Sequence, residues 1–294
     1  MAIVRSLAIG RATGSMGGIT YRVIGGETIS SQKRGKSSTK PSYAQSVNIV
    51  SWANAVNFWQ AFEGNDRPSF EGRRPRVSDF NEFIAASRRT PVYLTRPQAQ
   101  QGGCVVAPYT VTRGSLPSIE VTTSGTNGEV GTDISLGSLN VGESTTIKQI
   151  SDAIINNNEG FVNGDAIVCF VARQSTNTVT NVPYIVIDEF KLNLNQTDNE
   201  TLVTEIDPNL EVFCTMAGGN KLGMSQAVNG GAVYIHTRLT TEGTKVSTQS
   251  FVVNNTLLPS FISDTARDYA IASYGGSLQR LFLTPDVDMA IQGI

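Results

Sequence analysis

A mainly β chain with some α, built as an antiparallel β-sandwich with an extended N-terminal hairpin arm and two helices, is the fold class that three features of the sequence predict. From about residue 110 the chain breaks into short β-prone runs separated by turn residues. Charged residues make up only 16% of it and glycine reaches 28 of 294 residues, which suits short strands joined by many turns. Charge is also divided along the chain. Residues 1–104 hold 14 Lys/Arg against 6 Asp/Glu, a balance of +8, and residues 105–294 hold the other 9 against 19, a balance of −10. The expected domains are a basic N-terminal arm over 1–104 (hairpin, linker, two helices), the sandwich over 105–258 and a C-terminal helical extension over 259–294.

The arm begins with apolar runs broken by glycine: Ile3-Val4, Leu7-Ala8-Ile9, the run 19–24, then Gly25-Gly26 and Thr28-Ile29-Ser30. A glycine pair between two β-prone runs predicts a hairpin. A ribbon of this size has no core, so it is expected to add to another sheet, its own domain's or a neighbour's. The basic linker that follows carries Lys33, Arg34, Lys36 and Lys40 and closes at Pro41. Ser42 suits the N-cap of a helix to about Phe62, with Trp52, Val56, Trp59 and Phe62 as its core-facing stripe and Asn48, Asn54, Asn57 and Gln60 elsewhere. Beyond Gly64 the loop 66–77 holds Arg67, Arg73, Arg74 and Arg76, and Ser78 caps a second helix that ends near Arg88 and Arg89. Arg88 and Arg89 suit that helix's dipole. Arg73, Arg74 and Arg76 have no such role and are assigned, with Arg22, Lys33, Arg34, Lys36 and Lys40, to an interface or anion contact.

Strands are expected near 118–123, 133–136, 165–172, 184–194, 201–206, 210–215, 232–239 and 245–253. Eight short strands in so little chain imply a sandwich. A helix over 147–156, with Ile147, Ile150 and Ile154 on one face, interrupts them, and another is expected over 264–274. The tail beyond it, with Leu278, Leu281, Phe282, Leu283 and Ile294, is too apolar to stand in water and must pack on something.

Groups that could carry chemistry are scarce. His236 is the only histidine, so a two-histidine mechanism is excluded, and on a strand beside Tyr234 and Arg238 it reads as structural. No nucleophile elbow, phosphate-binding loop or zinc-protease motif occurs. Asp188 and Glu189 are neighbours on an expected strand and point to opposite faces, so they do not share a substrate. Asp198, Glu200, Glu205 and Asp207 match no calcium-loop spacing. Cys104, Cys169 and Cys214, an odd count with no close pair, read as buried thiols of a reducing compartment. No signal peptide and no membrane span of about 18 apolar residues is expected. The reading is therefore of a chain that is not an enzyme, with no catalytic, cofactor-binding or metal residues and no small-molecule substrate.

The run Gly14-Ser15-Met16-Gly17-Gly18-Ile19-Thr20-Tyr21, the basic Ser/Lys linker and Ala44-Gln45 opening an aromatic-rich helix resemble the start of a family of proteins from Bacteroidota and their phages. Gly164-Asp165-Ala166-Ile167-Val168, and Tyr234-Ile235-His236-Thr237-Arg238 followed by Lys245-Val246-Ser247-Thr248-Gln249-Ser250, are similar to strands of that family's Ig-like part. The likeness spans roughly residues 1–90 and 160–255, and the tail after Pro259 departs from it. Related proteins are virion components of crAss-like phages. The resemblance thus implies an Ig-like sandwich in a virion structural protein, a ring or connector subunit of the tail or portal region, assembled in the bacterial host cytoplasm with other virion proteins as partners.

The charge division independently implies copies of the chain as partners, the positive arm meeting negative surfaces of its neighbours in a cyclic homo-oligomer. The basic linker has no interleaved aromatics of the kind that stack on single strands. Phosphate contact needs none, so non-specific contact with packaged DNA stays open. An Ig-like surface module that grips glycan or protein is the alternative.

Overall fold

The computed structural model describes residues 2–4, 13–24, 26–33, 41–73, 76–88, 90, 92, 94–123, 129–216, 219–224, 230–253, 270 and 272–274. In chain order its elements are β1 (Ala2–Val4), β2 (Gly14–Met16), β3 (Ile19–Ile24), β4 (Glu27–Gln32), α1 (Tyr43–Gln60), α2 (Asp79–Ser87), α3 (Arg96–Gln100), β5 (Thr110–Thr112), β6 (Val121–Thr123), β7 (Val130–Ser135), α4 (Ile147–Asn157), β8 (Ala166–Thr176), β9 (Pro183–Asn193), α5 (Val203–Ile206), β10 (Cys214–Thr215), β11 (Lys221–Met224), β12 (Gly230–Thr240), β13 (Gly243–Val246), β14 (Gln249–Ser250) and β15 (Val252–Val253). The chain is mainly β, with several antiparallel sheets and a few helices. It divides into two compact units, Met1–Pro41 with Arg74–Arg76, and Ser42–Arg73 with Val77–Ile294.

In the first unit one antiparallel sheet runs in the order β1-β4-β3-β2. Ile24 pairs with Glu27, so two residues turn the long strands, and Gly26 takes the left-handed φ of 88° that a tight hairpin asks of glycine. Short strands at each edge widen the expected hairpin to four strands.

The second unit is built on a five-stranded sheet, β13-β12-β8-β9 with β15 also on β12. The continuous apolar run of β8, Ala166 to Ala172, is buried on both faces, as unbroken hydrophobicity in a strand demands. Ile167, Cys169 and Val171, with Ala232 and Tyr234 of β12, face one core. There they meet Ile147, Ile150 and Ile154 of α4 and Leu222 and Met224 of the second sheet, β10-β11-β7-β6. The alternate residues Val168, Phe170, Ala172, Val233 and Ile235 face the other core, closed by α1 and α2. Phe58 is its hub, with ring centroids 4.9 Å from Tyr109 and 5.2 Å from Phe251, while Phe62 stands 5.2 Å from Phe170. The expected sandwich of two sheets is thus present, and a helical layer covers its outer face.

That layer moves a boundary. Val92, Leu94, Cys104 and Val105 belong to the same core as Phe170 and Val233, so the core runs unbroken through residue 104 and the units divide after Pro41 instead. The helix expected over 264–274 lies largely outside the described residues. Of its positions, Ala270 and Tyr274 are buried, and the Tyr274 hydroxyl donates to Leu94 O.

Ser42 caps α1 as expected: the Gln45 N–H donates to Ser42 Oγ at 3.3 Å and the Ser42 N–H to Gln45 Oε1 at 2.9 Å. The buried stripe differs from the expected one. Val47, Val50, Asn54, Phe58 and Phe62 are buried, and Trp52 is 53% exposed. α1 is apolar on two opposite sides, and Asn54 selects between them. Its Oδ1 accepts from Val105 N–H at 2.7 Å, and its Nδ2 donates to Val105 O at 3.0 Å and to Tyr109 Oη at 2.8 Å. One side chain thereby satisfies both backbone groups of a buried loop residue, which no apolar residue does.

Three expected strands are corrected. Residues 203–206 form α5, because Glu205 reaches back to the Leu202 N–H (3.2 Å) and Asp198 takes the N–H of Thr201 (2.9 Å). Only Cys214–Thr215 of 210–215 is strand, since buried Asp207 accepts from the N–H groups of Glu211, Val212 and Phe213 at 2.6–2.9 Å and coils the chain. The run 245–253 divides into β13, β14 and β15, broken where Ser247 exchanges bonds with His236. The helix α3 was not foreseen, although Thr95 and Gln98 form a capping box around Pro97.

Gly230 opens β12 at φ 154°, and a Cβ there would sit 1.8 Å from Ala172 O of the neighbouring strand. Gly230→Ala is therefore expected to cost about 2 kcal/mol or more, because β8 and β12 must part to admit it. Urea unfolding checks this; an unchanged midpoint contradicts the close approach.

Candidate interaction surfaces

The arm sheet is a single layer, and strand parity gathers four apolar side chains on one face, with Ile24 and Ile29 on the other. Register pairs Met16 with Ile19 across β2 and β3, and alternation along β3 adds Tyr21 and Val23 to that face. Met16 is 74% and Ile19 43% exposed, and Tyr21 and Val23 are half-buried. Arg22 lies on the opposite face, exposed, across from Ile29. Lys33 is exposed at the end of β4, its N–H donating to Gly18 O at 2.7 Å.

Arg34, Lys36, Lys40 and Arg74 lie outside the described residues. Arg73, half exposed, makes an ion pair with Asp79 in the first turn of α2. Arg76 is exposed and holds φ at 71°, unusual for a residue with a side chain. The described residues at the start of the loop are tied to the fold. Asn65 Nδ2 donates to Ile187 O (2.6 Å), Asp66 N–H to Glu189 (2.6 Å) and Glu71 N–H to Arg113 O (2.8 Å), while the Glu71 carboxylate takes N–H groups of Ser115 and Val246. Burial pushes the Glu71 carboxyl up, but those hydrogen bonds outweigh it and hold the group below its ordinary pKa.

The sequence reading missed Ile49 and Trp52 as surface residues, 45% and 53% exposed on α1. The signal was present: α1 has no charged residue in 18 positions, and an apolar stripe on each side of it. A second exposed apolar group lies near the turn of the β8–β9 hairpin, where Tyr184 and Val186 are 46% and 50% exposed. Beside them Arg173 binds Asp188 at 2.8 Å and Glu211 at 2.9 Å. Elsewhere the outer edge of β9 is covered, with Cys104 N–H on Pro183 O at 2.8 Å in addition to Asn65.

The groups with chemical potential are engaged in the fold. Asp165 and His236 are both fully buried. The carboxylate receives His236 Nε2 at 2.7 Å, Arg238 Nε at 2.6 Å and Nη2 at 2.7 Å, and the Val162 N–H at 2.9 Å. Phe161 stacks on the imidazole at 4.3 Å. Burial raises the Asp165 carboxyl, and the bonds from Arg238, Val162 and His236 overcome that and hold it below the usual range. Burial also depresses His236, against the pull of Asp165, so the ring is neutral in the fold at pH 7. Asp188 and Glu189 do separate, to Arg173 and to the Asp66 N–H. Among the described residues no three His, Cys, Asp or Glu are grouped to hold a metal ion, and no helix is long and apolar enough to cross a membrane. Cys104, Cys169 and Cys214 are all buried, as the sequence suggested.

No protein-family model matches the chain, and neither a curated protein nor a solved structure is similar to it.

Proposed function

We propose that the chain is a non-catalytic structural subunit that assembles into a cyclic homo-oligomer, a ring or connector in the tail or portal region of a virion. The observation that carries the assembling role is the arm: a single-layer sheet on which Met16 and Ile19 stand exposed side by side, next to half-buried Tyr21 and Val23. One layer that exposes apolar side chains needs a second layer to be stable in water. The charge balance of +8 against −10 favours a second copy as the source of that layer. The virion setting rests on the resemblance to phage structural proteins. Deleting residues 1–40 is expected to reduce the light-scattering mass from a multimer to a single chain. Assembly of the full chain should also weaken as salt rises from 50 mM to 0.5 M. A deletion variant that assembles as the full chain does, or a full chain that is monomeric in low salt, overturns the proposal.

The alternative, an Ig-like surface module that binds glycan or protein, is favoured by one observation, the exposed pair Tyr184 and Val186 at the end of the sandwich. It predicts glycan-array binding that Tyr184→Ala abolishes, with the mass unchanged.

A further inference from the structure

We infer that residues 159–164 form an acid-released latch, a segment that lies closed over His236 while the ring is neutral and opens when the ring takes up a proton. The segment joins α4 to β8, and what holds it converges on one cluster. Phe161 stacks on the imidazole, Arg238 Nη2 donates to Gly160 O at 2.6 Å, and the Val162 N–H donates to Asp165 at 2.9 Å. Phe161 is half-buried and Val162, Asn163 and Gly164 are exposed, so on this side a single layer of chain separates the ring from water. Gly160 and Gly164 bracket that layer at φ 94° and 93°, and residues of this kind absorb the backbone rotation of a hinge.

The second nitrogen of the ring makes the closed state sensitive to acid. Asp165 is held ionised by Arg238, which occupies both of its oxygens, so the His236 Nε2 that meets it at 2.7 Å carries the hydrogen. Nδ1 then holds a lone pair, buried and with no hydrogen-bond partner among the described residues. A proton added there becomes a buried donor without an acceptor, on a ring that is now a cation beside Arg238. The charged groups facing the ring are Asp165, from the turn into β8, and Arg238 of β12. Lys245 of β13 pairs with Arg238, and Glu159, the one charged residue of the segment, is exposed. Asp165 is thus the anion that meets the ring, and it has no oxygen to spare. Opening the segment brings Nδ1 to water, which solvates the cation. Protonation therefore favours opening below the free-ring pKa of about 6.5, by up to about 25-fold between pH 7 and pH 5.

Hydrogen exchange of the full-length chain tests this, read at Val162 and Asp165, whose N–H groups bond to each other's residue in the closed segment. At pH 5 both should exchange up to about 25-fold faster than at pH 7, after correction for the chemical rate. They should also exchange faster than the amides of α1, at a rate that low urea leaves unchanged, because a short segment exposes little surface. Equal corrected rates at the two pH values overturn the inference. So do amides that follow α1 in rate and in urea dependence, since only global unfolding then frees them. His236→Gln is expected to remove the acceleration, and an acceleration that survives the substitution overturns the inference as well. Should that variant fail to fold, the unaltered chain decides the matter. Its single imidazole gives one NMR titration, expected to share its midpoint with the opening at Val162; a ring that titrates while the segment stays closed overturns the inference.

Discussion

Replacing Asn54 by alanine is expected to lower the stability of the second unit by about 3–4 kcal/mol, a fall of roughly 10 °C in its thermal midpoint. The size follows from what is stranded. Without the amide, the buried N–H and C=O of Val105 and the hydroxyl of Tyr109 lose their partner at once, in a core where no water reaches Asn54. Each orphaned buried group costs about 1–3 kcal/mol. Asn54→Leu refills the volume but leaves the same groups unpaired, so it should recover little. Asn57→Ala, which removes a single bond to Gly103 O from a partly buried position, should cost about 1 kcal/mol. Chemical unfolding of the three variants checks this; equal losses at 54 and 57 would show that Asn54 does not select the buried face of α1.

Asp165→Asn is expected to cost about 3–5 kcal/mol, because an amide of the same shape cannot hold Arg238 and His236 together and leaves buried polar groups mismatched. The same cluster sets a pH dependence. His236 has a depressed pKa in the fold, so its contribution is intact above the unfolded value of about 6.5 and is lost as pH falls below it. Asp165 is also depressed, and its contribution is intact above about pH 4 and disappears as the carboxylate is protonated below that. With one histidine in the chain, a decline in unfolding free energy between pH 7 and pH 5 is traceable to a single ring. His236→Gln should flatten that window and leave the loss below pH 4. A decline between pH 7 and pH 5 that survives the substitution contradicts this account.

What the sequence made legible follows the strength of its local signals. Unbroken apolar runs gave β8 and β12, the Ser42 cap gave α1, the isoleucine spacing gave α4, and the paired glycines gave the β3–β4 turn. Failures came where a carboxylate competes with the ladder for backbone N–H groups, as at Asp207 and Asp198, since short side-chain capping leaves no periodic trace. The buried face of α1 was misread for a related reason. Both sides of that helix are apolar, and a tertiary bond from Asn54 to a residue 51 positions away decides which is covered. The pairing of Arg73 with Asp79 was not legible, because a loop residue and a helix residue six positions apart meet only through the turn between them. The exposed faces of the arm sheet and of α1 depend on which apolar residues tertiary packing leaves uncovered, and composition is silent on that.

Electron microscopy of the purified full-length chain in low salt tests assembly most directly. The account predicts closed rings of a single subunit count, with the arm of each subunit lying on its neighbour. A uniform field of single particles the size of one 31.5 kDa chain would contradict it.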